Sequence, residues 1–182
     1  MKFRNFWIGL TLVGLIQSPA LASWYKPYKD GYINEHNQYI VTMPKLGIPQ
    51  DVIDKSYSKR VLFVNKKDQR LRLISQGKVY GEFYVTTARS GQTTISCDCK
   101  VGGKFRNIVL RGISRSYAKP VSYWIETTKY SYLFGVHDAS WRKNFGTHRF
   151  LEDGSLGCIN MHLKDIITVY NFVSPGDWFI IR

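Results

Sequence analysis

From Arg60 onward, apolar residues recur with the short period of strands, and turn residues break the pattern at close intervals. Val61-Leu62-Phe63-Val64 is followed by the polar turn Lys66-Lys67-Asp68-Gln69. Arg70-Leu71-Arg72-Leu73 then alternates basic and apolar, the pattern of a strand with one wet face. Gln76-Gly77 punctuates, and Lys78 to Thr87 forms a longer strand carrying Tyr80, Phe83 and Val85. Val121 to Glu126 alternates again, Tyr132 to Val136 reads as a strand ending at His137, and Asp177 to Ile181 closes the chain as another. A helix is expected once in this region, over Leu163 to Val173, where Leu163, Ile166, Ile167 and Tyr170 fall at helical spacing before the stop Ser174-Pro175-Gly176. The pattern predicts a mostly β single domain over residues 60–182.

The first sixty residues are different. Met1-Lys2-Phe3-Arg4 is a basic start, Phe6 to Ile16 is apolar, and Ala20-Leu21-Ala22 is a small-x-small cleavage site. Residues 1–22 therefore read as a secretory signal peptide, too short in its apolar run to anchor in a bilayer. The expected destination is the periplasm or cell envelope. Residues 23–59, rich in Tyr, Lys and Asn with Pro44 and Pro49, show neither helical nor strand period and read as an N-terminal arm. The formal net charge of +13 suits an anionic envelope partner. Export and the lack of a basic-aromatic module argue against nucleic acid.

Chemistry concentrates between His137 and Asn160. Cys158 follows Gly157, which leaves room for a substrate carbonyl, and His137 ends an apolar strand upstream, where it can serve as base. A lone thiol between apolar neighbours is more often a small buried side chain, so the spacing carries the weight. The intervening loop holds Trp141, Arg142, Lys143, Phe145, His148, Arg149 and Phe150. It is read equally as a substrate lid or as a surface loop with packed aromatics. A helix starting soon after Cys158 would favour its thiolate.

His137, residues 138–154, and then Ser155-x-Gly157-Cys158-Ile159-Asn160 resemble the signature of the L,D-transpeptidase catalytic domain, the YkuD-like domain. The opening three-strand meander resembles the start of that domain too. Two positions depart from it: Leu156 stands where the family usually has a second His, and Ile95 to Lys100 replaces a Thr-Pro-x-Gly turn. The resemblance implies a sandwich of curved mixed sheets with one helix after the nucleophile. It implies Cys158 as nucleophile, His137 as general base, and the Asp138 backbone carbonyl orienting the imidazole. Gly157, Ser155 and Asn160 fall to the oxyanion or substrate. The implied reaction releases terminal D-Ala from a peptidoglycan stem peptide and passes the acyl group to an amine, giving 3→3 cross-links or attachment of an envelope protein. No cofactor is implied. The alternatives are an L,D-carboxypeptidase on the same scaffold and a silent peptidoglycan-binding protein.

Cys97 and Cys99 admit two readings. They can oxidise to each other in an exported protein, or join His148 or His162 as metal ligands, although Cys-x-Cys lacks zinc-module spacing. No metal is expected.

Overall fold

The computed structural model describes residues 46–111, 118–130 and 133–182, with the backbones of two short strands, β1 (Gly31–Ile33) and β2 (Tyr39–Val41), which pair as a hairpin. The expected signal peptide lies outside the described residues. Helix α1 (Gln50–Ser58) follows Pro49 and buries Val52 and Ile53. The arm is therefore partly regular. Two apolar residues on nine give no readable period, and the helix is held by what it covers. Val52 and Ile53 pack with Ile48 onto Val61, Phe63, Ile74 and Ile180.

The strands are β3 (Val61–Asn65), β4 (Arg70–Ser75), β5 (Lys78–Thr86), β6 (Cys97–Arg111), β7 (Ala118–Thr127), β8 (Gly135–Asp138), β9 (Ile159–Met161) and β10 (Trp178–Ile181). They hydrogen-bond in the order β10-β3-β4-β5-β9-β8-β7-β6, and β10 pairs again with β6 to close the ring. The expected curved mixed sheets are present. β10–β3 and β8–β9 are parallel, and the other pairs antiparallel. Two strands belong to both sheets: β5 pairs with β4 and then with β9, and β6 with β10 and then with β7. Sharing its edge strands turns the sandwich into a barrel and leaves no open edge.

Inside lie Leu62, Val64, Leu71, Leu73, Ile125 and Val136, sealed by α3 (Leu163–Phe172). The helix is where the spacing places it, but its buried stripe is Ile166, Val169 and Phe172, whereas Leu163 and Ile167 are 41% and 37% exposed. Stripes one position apart are hard to tell apart in so apolar a segment, and contact with the barrel chooses one.

Two other expectations change, and the open choice at Cys97 and Cys99 is decided. β8 starts at Gly135, because Leu133 and Phe134 turn back to donate their N–H groups to the Tyr130 carbonyl. The wet face of β4 is dry at Arg72, 4% exposed, whose guanidinium donates to Glu82 (2.6 Å) and Asp68 (2.8 Å). Cys97 and Cys99 form a disulfide within β6, so neither thiolate is available as a ligand.

Candidate active site

Parallel pairing of β8 with β9 sets His137 beside Asn160, and antiparallel pairing with β7 sets it beside Trp124. Alternation then turns Val136 and Ile125 into the core and His137 and Trp124 outward, onto the wall of a cavity of about 1080 Å³. Cys158 and Asn160 share that wall. The rim carries Arg89, Arg111, Arg142 and Lys143 against one carboxylate, Asp153, among the described residues.

His137 is buried between two indoles, Trp124 at 5.8 Å and Trp141 at 5.9 Å between ring centroids. Its Nδ1 lies 2.8 Å from the backbone carbonyl of Asp138. A carbonyl only accepts, so Nδ1 carries the proton and Nε2 keeps its lone pair. Burial pulls the imidazole below its ordinary pKa; the carbonyl bond and the Asp138 charge oppose this but act less. The Asp138 carboxylate has separate work: its Oδ1 accepts the N–H groups of Ser122 (2.9 Å) and Tyr123 (2.8 Å), locking β8 to β7.

Cys158 is half-buried, and its thiol points to the Leu133 carbonyl at 3.8 Å. Burial pushes its pKa up to about 11, against the pull of a hydrogen bond from the Gly135 backbone. β9 lies between Cys158 and α3 in the chain, and burial is the dominant influence on the thiol. The resting pair is thus a neutral thiol and a neutral imidazole.

The turn before Cys158 is held through Ser155 and Gly157. The Ser155 hydroxyl donates to the Cys158 carbonyl (2.5 Å) and accepts the Gly157 N–H (2.9 Å). The Gly157 carbonyl accepts from Thr94 Oγ1 (2.8 Å), which in turn accepts the Ala88 N–H (2.9 Å). Gly157 has φ +146°, and a Cβ there would stand 2.6 Å from a Phe134 ring carbon, so glycine is needed. The Gly157 N–H, expected to face an oxyanion, is already donated to Ser155. The Cys158 N–H makes no hydrogen bond among the described residues. Asn160 Oδ1 is buried on the cavity wall without a partner.

The 138–154 loop divides between the cavity and the core. Trp141, Arg142 and Lys143 line the cavity, while Phe145 is buried against the His162 ring at 4.1 Å. Arg142 ties the loop to itself, donating to the Asn144 carbonyl and to Asp153. Leu156 is 53% exposed on the cavity wall. Thr94 and Trp124 escape sequence reading: neither neighbours the motif, and Thr94 reaches Gly157 across a separation of 63 residues.

A thiol and a singly protonated imidazole on one basic cavity wall have the components of a cysteine acyl-transfer site. The L,D-transpeptidase catalytic domain model (YkuD) matches residues 59–181, and the chain belongs to that family. Among solved structures, an Enterococcus faecium L,D-transpeptidase aligns at TM-score 0.64 and 22% identity, covering 69% of this chain and 50% of that one. The catalytic domain of an E. faecium L,D-transpeptidase acylated by ertapenem aligns at 0.60 and 23%, covering 68% and 97%. L,D-transpeptidase 3 from Mycobacterium tuberculosis, carrying a faropenem-derived adduct, aligns at 0.59 and 21%, covering 68% and 60%. At these identities the structures show a shared fold, and this chain spans half of the first. No curated protein matches the sequence.

Proposed function

We propose that the protein is an exported peptidoglycan L,D-transpeptidase working through a Cys158 acyl-enzyme. One observation carries the reading: His137, its Nδ1 held by the Asp138 carbonyl, presents an unprotonated Nε2 to the cavity that also holds Cys158. With substrate bound, the thiol turns from the Leu133 carbonyl to Nε2 and gives up its proton as sulfur attacks the carbonyl carbon of the third stem residue. The Cys158 N–H stabilises the oxyanion. The imidazolium returns the proton to the departing nitrogen of terminal D-Ala, leaving a thioester. An acceptor amine then attacks the thioester, His137 takes its proton, and sulfur leaves. The basic rim meets the stem carboxylates, and Asn160 Oδ1 accepts a substrate N–H. With Leu156 in place of a second His, the proton transfers fall to His137 alone.

The test is mass spectrometry of the protein incubated with a carbapenem, and then with a tetrapeptide stem with and without an acceptor amine. The expected results are a single adduct at Cys158, absent from Cys158→Ala and His137→Ala, and a cross-linked product. Release of D-Ala with water as the only acceptor would make the protein a carboxypeptidase. No adduct on folded protein would favour the silent binder.

A further inference from the structure

His137 becomes a cation when the Cys158 proton reaches Nε2, and it does so while only 2% exposed. A buried charge with nothing to balance it is costly. Among the described residues no carboxylate forms an ion pair with the imidazole. The Asp138 carboxylate is engaged by the Ser122 and Tyr123 N–H groups, and its charge acts on the imidazole less than burial does. Glu126, on the same face of β7 as Trp124, turns to β6 and accepts the Gly103 N–H at 3.0 Å. The other charges around the cavity are Lys119, over the Trp141 ring, and the rim's Arg89, Arg111, Arg142 and Lys143, all of which oppose a further cation. Asp153 is taken by Arg142 at 3.0 Å.

Two indoles face the imidazole instead. Trp124 comes from β7, with its ring centroid 5.8 Å away and its plane tilted by 35°; Trp141 comes from the loop, at 5.9 Å and 34°. Both lie within the roughly 6 Å at which a cation gains from an aromatic face, and indole offers the strongest such face. Trp124 reaches this place because Gly135 has no side chain: a Cβ there would stand 2.8 Å from a carbon of the indole. Trp141 is itself 42% exposed, while the imidazole beneath it is almost fully buried.

We propose that Trp124 and Trp141 form an aromatic clamp that stabilises the imidazolium of His137, and that Trp141 is a positioning residue acting through it. The proposal rests on the reading of Cys158 and His137 as an acyl-transfer pair. As the S–H bond breaks and the proton moves to Nε2, the electron-rich ring faces meet a charge that the resting imidazole lacks. The stabilisation thus arises only as the reaction proceeds, which is the condition for it to raise the rate. The same imidazolium returns when the acceptor amine gives up its proton, so both halves of the transfer use the clamp. Lys119 shares the Trp141 ring at 5.5 Å and limits what that face can give.

Fluorine withdraws electron density from an indole with little change of shape, which separates stabilisation of charge from shielding by bulk. Mono-, di- and tetrafluorotryptophan are placed at position 141 of the full chain by stop-codon suppression. Carbapenem acylation is followed against pH, and the His137 imidazole is titrated by nitrogen NMR, its signal identified by its loss in His137→Gln. The plateau rate is expected to fall stepwise with fluorine, by about threefold to thirtyfold at the tetrafluoro ring. The acid limb and the His137 pKa are expected to move to lower pH in the same order, with urea midpoints unchanged. A rate and a pKa that ignore fluorination overturn the proposal. So does a rate that falls while the pKa stays put, which would make Trp141 a wall for the substrate. If the unmodified protein forms no adduct, the acyl-transfer reading fails by itself; the pKa series then decides the clamp, and a constant value refutes it.

Discussion

Thr94→Val removes one hydroxyl from beneath the nucleophile and keeps the side chain's shape. Thr94 is 4% exposed, and its Oγ1 both accepts the Ala88 N–H and donates to the Gly157 carbonyl. The valine leaves two buried backbone groups without partners. Each such group costs about 1–3 kcal/mol, so the loss of stability is about 2–6 kcal/mol, a large share of the ~5–15 kcal/mol that holds a domain folded. With an m-value of about 1–3 kcal/mol per molar urea, the unfolding midpoint should fall by roughly 1 M or more. The second consequence is chemical. The Gly157–Cys158 peptide loses the bond that fixes its plane, so the Cys158 N–H no longer points steadily at the oxyanion. Carbapenem acylation of still-folded protein should slow by about tenfold or more, short of the roughly 10²–10³ lost with a whole oxyanion donor. Thr94→Ser keeps both hydrogen bonds and should recover most of the rate. A valine variant as stable and as fast as wild type would refute the reasoning. A variant that lost stability but not rate would reduce Thr94 to a structural clamp.

The other predictions concern protons and thiols. Burial holds the His137 pKa below 6.5, so the imidazole stays neutral further into acid than a free one, and the acid limb of Cys158 acylation should fall below pH 6.5. The stability sign is the same. The unfolded chain binds that proton more readily, so stability is full above about pH 6.5 and declines as pH falls below it, read by urea midpoints. With the thiol pushed up to about 11, iodoacetamide alkylation of Cys158 without substrate should keep rising toward that pH; a plateau by about pH 8 would sink the neutral resting pair. Asp51 is lowered to about 2, first by Arg182 and then by Lys55, so its contribution is present above pH 3.8 and lost between there and about 2. Because its side chain is 46% exposed, Asp51→Asn should cost under ~1 kcal/mol at neutral pH and flatten that acid slope in denaturation curves. Thiol titration of unfolded protein should find one free group before reduction and three after, since only Cys158 lies outside the Cys97–Cys99 bond.

Local pattern determined the strands β3, β4 and β5, the place of α3, and the linear motif from His137 through Cys158 to Asn160. These are properties of neighbours in the chain: alternation of period two, turn residues, and the spacing of a nucleophile from its base. Tertiary structure decided the rest, because the deciding contacts join distant segments. α1 forms against Val61, Phe63 and Ile180, with too few apolar residues of its own to announce it. Arg72, polar in a position that reads as wet, is buried because Asp68 and Glu82 reach its guanidinium. At the site, the motif names Gly157 and Ser155, but only packing shows that the Gly157 N–H is spent on the serine and its carbonyl on Thr94. The protonation states were likewise out of reach of the motif. A Cys and a His at the right spacing suggest an activated pair, yet desolvation raises one pKa and lowers the other, and burial is a property of the whole fold.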